Sequence, residues 1–238
     1  MIEIQTQVQT ATKPLKDIGL AIVQASKNCS DAAKPLIRAP TEEDRVQREI
    51  YIFYEFIYFF MYVTMRQAFA VLSASLAEKL QAFLVSLISS VAVDSYFAHW
   101  PAERKQGMND NFRKYLSEQG ADYSKCAESA ITGTKYGLVP TSNNPVEHAL
   151  VTELGVNVAQ WSSKLEKVPK GVTLEGSLAL DEWLAGLPPN VSKTVTTVGQ
   201  VALNEWGKMQ LETLVANAAK GNWENIVFDE AGNLVRQF

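Results

Sequence analysis

Histidine and cysteine are scarce in this chain, with two of each among 238 residues. Cys29 and Cys126 stand far apart with no CxxC spacing, which excludes a disulfide scaffold and a cysteine-rich zinc site. Two reduced thiols are expected instead. His99 and His148 lie in no HExxH pattern, and the residues three before them are Tyr96 and Pro145. A di-iron bundle needs glutamate at that spacing, so that chemistry is excluded too. The glycine signatures GxSxG, GxxxxGK[ST] and GxGxxG are absent. Basic clusters are equally lacking. The net charge is −4, and no group of Lys and Arg is denser than Arg104-Lys105 or Arg113-Lys114. A nucleic-acid partner is therefore not expected. The first ten residues, MIEIQTQVQT, lack the basic start and apolar stretch of a signal peptide. The expected compartment is the cytoplasm, and no catalytic residue, cofactor or metal is assigned.

What is present is hydrophobic sequence in ordinary globular proportion, 47% against 20% charged. Apolar residues recur mostly at helical spacing. Ile2, Ile4 and Val8 alternate with polar residues and read as a short strand. Pro14 to Ala33 reads as a helix with proline in its first turn, and Pro35 and Pro40 bracket a connector. Thr41 before Glu42, Glu43 and Asp44 starts a second helix, expected to reach Leu72. Ser75 with Glu78 resembles a capping box for a third, from Leu76 to Ala98, ended by Pro101. Ala102 to Glu118 gives a fourth, with Gly120 beyond its end, and 121–143 read as irregular.

Asn144-Pro145-Val146-Glu147 then restarts a helix that runs to Lys164. A shorter one spans Leu174 to Ala185. A long one covers Val191 to Ala219, although the β-branched run VSKTVTTV pulls its first turns toward strand. Ile226–Phe228 and Leu234–Arg236 flank a five-residue loop containing glycine, the pattern of a β-hairpin. The N-terminal strand is a candidate third partner for it. The expected class is mainly α, a bundle-like arrangement of six or seven helices with a small C-terminal hairpin. Its expected division is 1–135 and 136–238, with one continuous domain as the alternative.

The most unusual stretch is Ile50 to Thr64, IYIFYEFIYFFMYVT, in which eight of the fifteen residues are aromatic and only Glu55 is charged. Sixteen residues separate Glu49 from Arg66. A membrane span needs about 20 apolar residues without a central acid, so a buried helix is the preferred reading. Wound at about 100° per residue, the helix gathers Tyr51, Tyr54, Glu55, Tyr58, Tyr62 and Arg66 within an arc of about 120°. Ile52, Phe53, Phe56, Phe59, Phe60 and Val63 take the rest. Tyr51, Tyr58 and Tyr62 sit at helical spacing from Glu55, which makes them its expected hydrogen-bond partners.

Segregation of this kind suits a wet seam, a pocket or a partner groove, since tyrosine is apolar at one end and polar at the other. Tyr51, Glu55, Tyr58, Tyr62 and Arg66 are the candidate ligand or interface residues. The favoured function is a non-enzymatic helical binding or interaction protein, with a second copy, another protein or an apolar small molecule as partner. The alternatives are an enzyme using Glu55, alone or with Asp94, His99, Glu147 and His148, and a peripheral membrane protein.

Overall fold

The structure, a computed structural model, describes residues 2–132, 144–163, 186–221, 226–228 and 234–237. It is mainly helical. In chain order come α1 (Ile2–Ala33), a 3-10 turn (Lys34–Leu36), α2 (Glu42–Val71), α3 (Ala74–Phe97), α4 (Ala102–Thr132) and α5 (Pro145–Ser163). After them follow α6 (Pro189–Met209), α7 (Leu211–Ala219), β1 (Ile226–Phe228) and β2 (Leu234–Gln237). The strands pair antiparallel, Ile226 opposite Gln237 and Val227 opposite Arg236. The expected hairpin loop at 229–233, the expected helix Leu174–Ala185 and the expected boundary at 135 all lie outside the described residues.

Several helix ends follow from local chemistry. Thr41 Oγ1 accepts from the Asp44 amide at 3.1 Å and donates to Asp44 Oδ2 at 2.9 Å, a reciprocal cap that starts α2. Asn144 Oδ1 accepts from the Glu147 amide at 3.2 Å and starts α5. The cap of α3 is Ser73, which accepts from the Leu76 amide, rather than the expected Ser75. The β-branched start of α6 is helical, because Val191, Val195 and Val198 are buried at helical spacing and packing overrides propensity. The expected single helix to Ala219 is interrupted at Gln210, whose φ of 49° and ψ of 47° turn the chain left-handed for one residue.

Two further expectations are corrected. The N-terminal residues are helical, not a strand: α1 begins at Ile2 and carries Pro14 in its interior. The spacing explains this, since Ile4, Val8, Ala11, Leu15, Ile18, Ile22, Ala25 and Cys29 alternate by four and three, a longer helical period than the two-residue pattern competing with it. Nor does Gly120 end α4, which continues to Thr132 and takes Tyr123 and Cys126 into a buried face.

The chain divides into two compact units, one of Met1–Gln24, Phe60–Ser117 and Gly207–Phe238, the other of Ala25–Phe59 and Glu118–Trp206. In the first, Leu15, Ile18, Leu80, Leu84, Ile88 and Phe112 are buried, and Gly19 of α1 lies against Leu84 and Leu87 of α3. The α3–α4 corner is held by Trp100, whose ring lies 4.2 Å from that of Phe97 and is covered by the Arg104 guanidinium at 3.8 Å. Among the described residues one stretch, Ala74–Asp94 of α3, has the length and composition to cross a membrane, and 50% of its apolar window is buried within the chain.

The second unit contains the site. Its helices α5 and α6 approach closely, with Gly155 against the Val195 backbone and Gly199 against Val151. From Ile52 to Met61 every residue of α2 is buried, as a helix apolar all round requires.

Candidate functional site

Glu55 is 3% exposed, inside the second unit. Burying a carboxylate costs several kcal/mol unless hydrogen bonds replace water. Here Glu55 Oε1 accepts from Tyr123 Oη at 2.9 Å and from Asn157 Nδ2 at 2.9 Å. Thus α2, α4 and α5 meet at one oxygen atom. The Tyr123 phenol is held well above its ordinary pKa of 10.0, first by burial and then by the adjacent Glu55 charge and hydrogen bond. It therefore stays protonated and donates. Phe59 packs edge-on against Tyr123 at 5.7 Å and against Trp206 at 5.8 Å, closing the apolar side of the cluster.

One turn toward the start of α2, the environment changes from buried to wet. Tyr51 is 39% exposed and Trp161, one turn beyond Asn157 on α5, is 40% exposed. Their rings stack at 4.5 Å with 24° between planes. On the same helix as Tyr51, the buried Arg48 donates to the Trp161 carbonyl at 3.1 Å, capping an α5 end whose last carbonyls have no partner within the helix. The Arg38 amide serves the next carbonyl, that of Ser162, at 2.9 Å. Gln47 Nε2 donates to Tyr51 Oη at 3.1 Å.

The five candidate residues, all on α2, are shared between the two units. Tyr51, Glu55 and Tyr58 belong to the second unit, with Glu55 and Tyr58 buried. Tyr62, half-buried, and Arg66, exposed, belong to the first. A hydroxyl from outside the helix, that of Tyr123 on α4, meets Glu55. Tyr123, Asn157, Arg48 and Trp161 were not singled out by the sequence reading. Asn157 carried a signal, as an amide inside the apolar run LGVNVAQ.

Among the described residues no group of three or more His, Cys, Asp or Glu is placed to hold a metal ion. Asp94 instead pairs with Lys105 at 2.9 Å, and the His99 ring lies 6.4 Å from that of Trp100. Cys126 donates to the Ala149 carbonyl at 3.4 Å and is fully buried, which suits a packing role. No protein-family model, curated protein or solved structure matches the chain.

Proposed function

We propose that the chain is a non-enzymatic helical binding or interaction protein that engages its partner through the Tyr51–Trp161 face, with a second copy of itself as the first partner to test. One observation carries the reading: a stacked Tyr–Trp pair, each residue about two-fifths exposed, with a buried arginine bonded to the Trp161 carbonyl. Tyrosine, tryptophan and arginine are the residue types on which binding energy concentrates at interfaces. A pre-stacked pair loses little side-chain freedom when it is covered. The buried aromatic residues from Ile52 to Met61 are already packed inside the chain, so the contact surface is the wet end of α2. In the same proposal, β1 and β2 close as a hairpin through residues 229–233.

Sedimentation equilibrium at several concentrations tests this reading with wild type, Tyr51→Ala and Trp161→Ala. The expected result is a mass above the 26.3 kDa monomer for wild type, falling to the monomer in either variant with helicity unchanged. A monomer for wild type throughout the concentration range, or an assembly indifferent to both substitutions, overturns it.

A further inference from the structure

The aromatic segment of α2 has a property that its burial makes consequential: it nearly repeats itself every helical turn. Shifted by four residues, Phe53 gives way to Ile57, Tyr54 to Tyr58, Phe56 to Phe60 and Ile57 to Met61. A slide of one turn, about 5.4 Å, thus presents apolar for apolar and phenol for phenol at each of these positions. Packing alone discriminates weakly between such alignments, because cores accept volume-similar exchanges at modest cost. Within the buried segment from Ile52 to Met61, position 55 breaks the repeat. Its neighbours one turn away are Tyr51 and Phe59, so any slide that moves Glu55 places a carboxylate where an aromatic ring belongs.

The partners of Glu55 convert that break into a choice. Asn157 and Tyr123 donate to the same carboxylate oxygen from α5 and α4. A one-turn slip of α2 takes the buried carboxylate away from both of these donors, which disfavours the slipped alignment. The geometry continues outward along the α2–α5 pair, since Glu55 opposes Asn157 and, one turn along, Tyr51 opposes Trp161.

We infer that Glu55 sets the register of α2 against α4 and α5 in the second unit, selecting one alignment from those the repeating aromatic residues would accept. Its role is selection rather than net stabilisation. Buried polar contacts that fix helix register act in this way, and their replacement by matched apolar groups commonly leaves stability intact. The inference does not depend on any binding role for the Tyr51–Trp161 face.

Overhauser cross-peaks between the ring protons of Tyr51 and Trp161 read the alignment directly, because the rings lie 4.5 Å apart. Three variants are compared with wild type: Glu55→Gln, Glu55→Leu, and Glu55→Leu combined with Tyr123→Phe and Asn157→Leu. Glutamine keeps an acceptor oxygen, so a single set of Tyr51–Trp161 cross-peaks is expected. Leucine alone removes the acceptor that the two buried donors share and is expected to destabilise the unit. The triple variant removes both identified donors together with their acceptor and is expected to remain helical and cooperatively folded, with the cross-peaks absent or split among several sets. A triple variant that keeps one undivided set overturns the inference. So does one that unfolds, since the polar groups would then supply stability and not choice.

Discussion

In the first unit the buried polar residues, among those described, are hydroxyl-bearing: Thr12, Thr64, Ser86 and Ser89. In the second they include Arg48, Glu55, Glu153, Asn157 and Glu205, with the Tyr123 phenol at the centre. A hydroxyl on a helix can turn back to its own backbone, as Ser89 does in donating to the Ser86 carbonyl at 3.2 Å. A carboxylate is acceptor-only and needs donors from elsewhere. Glu55 takes them from α4 and α5, and Glu205 takes one from Asn28 of α1 at 2.8 Å. The buried carboxylates of the second unit are thereby tied across helices, whereas the Asp94–Lys105 tie of the first lies at its surface. The same contrast appears at glycines. A Cβ on Gly19 would meet the Leu87 side chain at 2.7 Å, whereas one on Gly155 would meet the Val195 carbonyl oxygen at 2.7 Å and its Cα at 2.8 Å.

Gly155→Ala probes that contrast most severely. Backbone cannot rotate aside, so α5 and α6 must separate, at a cost of about 3 kcal/mol or more. Gly19→Ala presses on the end of a leucine that can change rotamer, and about 1 kcal/mol or less is expected. Urea titrations of the two variants check the ranking. Equal destabilisation would mean that the first unit is packed as stiffly as the second.

Tyr123→Phe ranks next. It removes one of the two donors identified for Glu55 and is expected to cost about 1–3 kcal/mol near neutral pH. Its pH dependence has a definite sign. Because the folded phenol is held well above 10.0, the folded chain binds that proton more tightly than the unfolded one. The associated stability is complete below about pH 10 and falls away as pH rises past it toward the folded value. The gap between wild type and Tyr123→Phe should therefore narrow as pH is raised from about 9 to about 11. A gap that widens would show that Tyr123 ionises more readily in the fold than outside it.

In the first unit a polar-to-apolar exchange should help rather than harm. Thr64 is fully buried, and its hydroxyl has no hydrogen-bond partner among the described residues. Thr64→Val removes an unsatisfied group at nearly constant shape, and a gain of about 1 kcal/mol is expected. Thr194 in the second unit donates to the Asn190 carbonyl at 2.9 Å, so the same exchange there should bring no gain. Paired melting curves separate the two cases.

How far the sequence revealed the structure varied with the kind of signal. Local caps were legible: Thr41 and Asn144 start their helices because an oxygen-bearing side chain stands three residues before an amide that needs an acceptor. The burial of the aromatic run was legible from its all-round apolar pattern. The partners of Glu55 were not, since Tyr123 and Asn157 lie 68 and 102 residues away and only tertiary packing joins them. Tyr123 was further hidden by reading Gly120 as lying beyond a helix end. Helix α1 shows the same weakness, because a polar N-terminal stretch with Pro14 suggested a boundary where the four-and-three spacing continued.

Gly120→Ala carries the smallest expected effect, and its sign is the informative part. A glycine that ends a helix sits left-handed, where alanine is strained and the exchange destabilises. Inside a continuous helix with open space around it, the same exchange only removes the entropy cost of glycine. Gly120 lies within α4, and a Cβ there would meet no atom within 4 Å. A gain of about 0.5–1 kcal/mol is expected, read as a rise in melting temperature with unchanged helicity. A decrease of similar size would place a break in α4 at Gly120. The phenol of Tyr123, three residues further on, would then owe its position to packing inside the second unit alone, not to the helix that starts at Ala102.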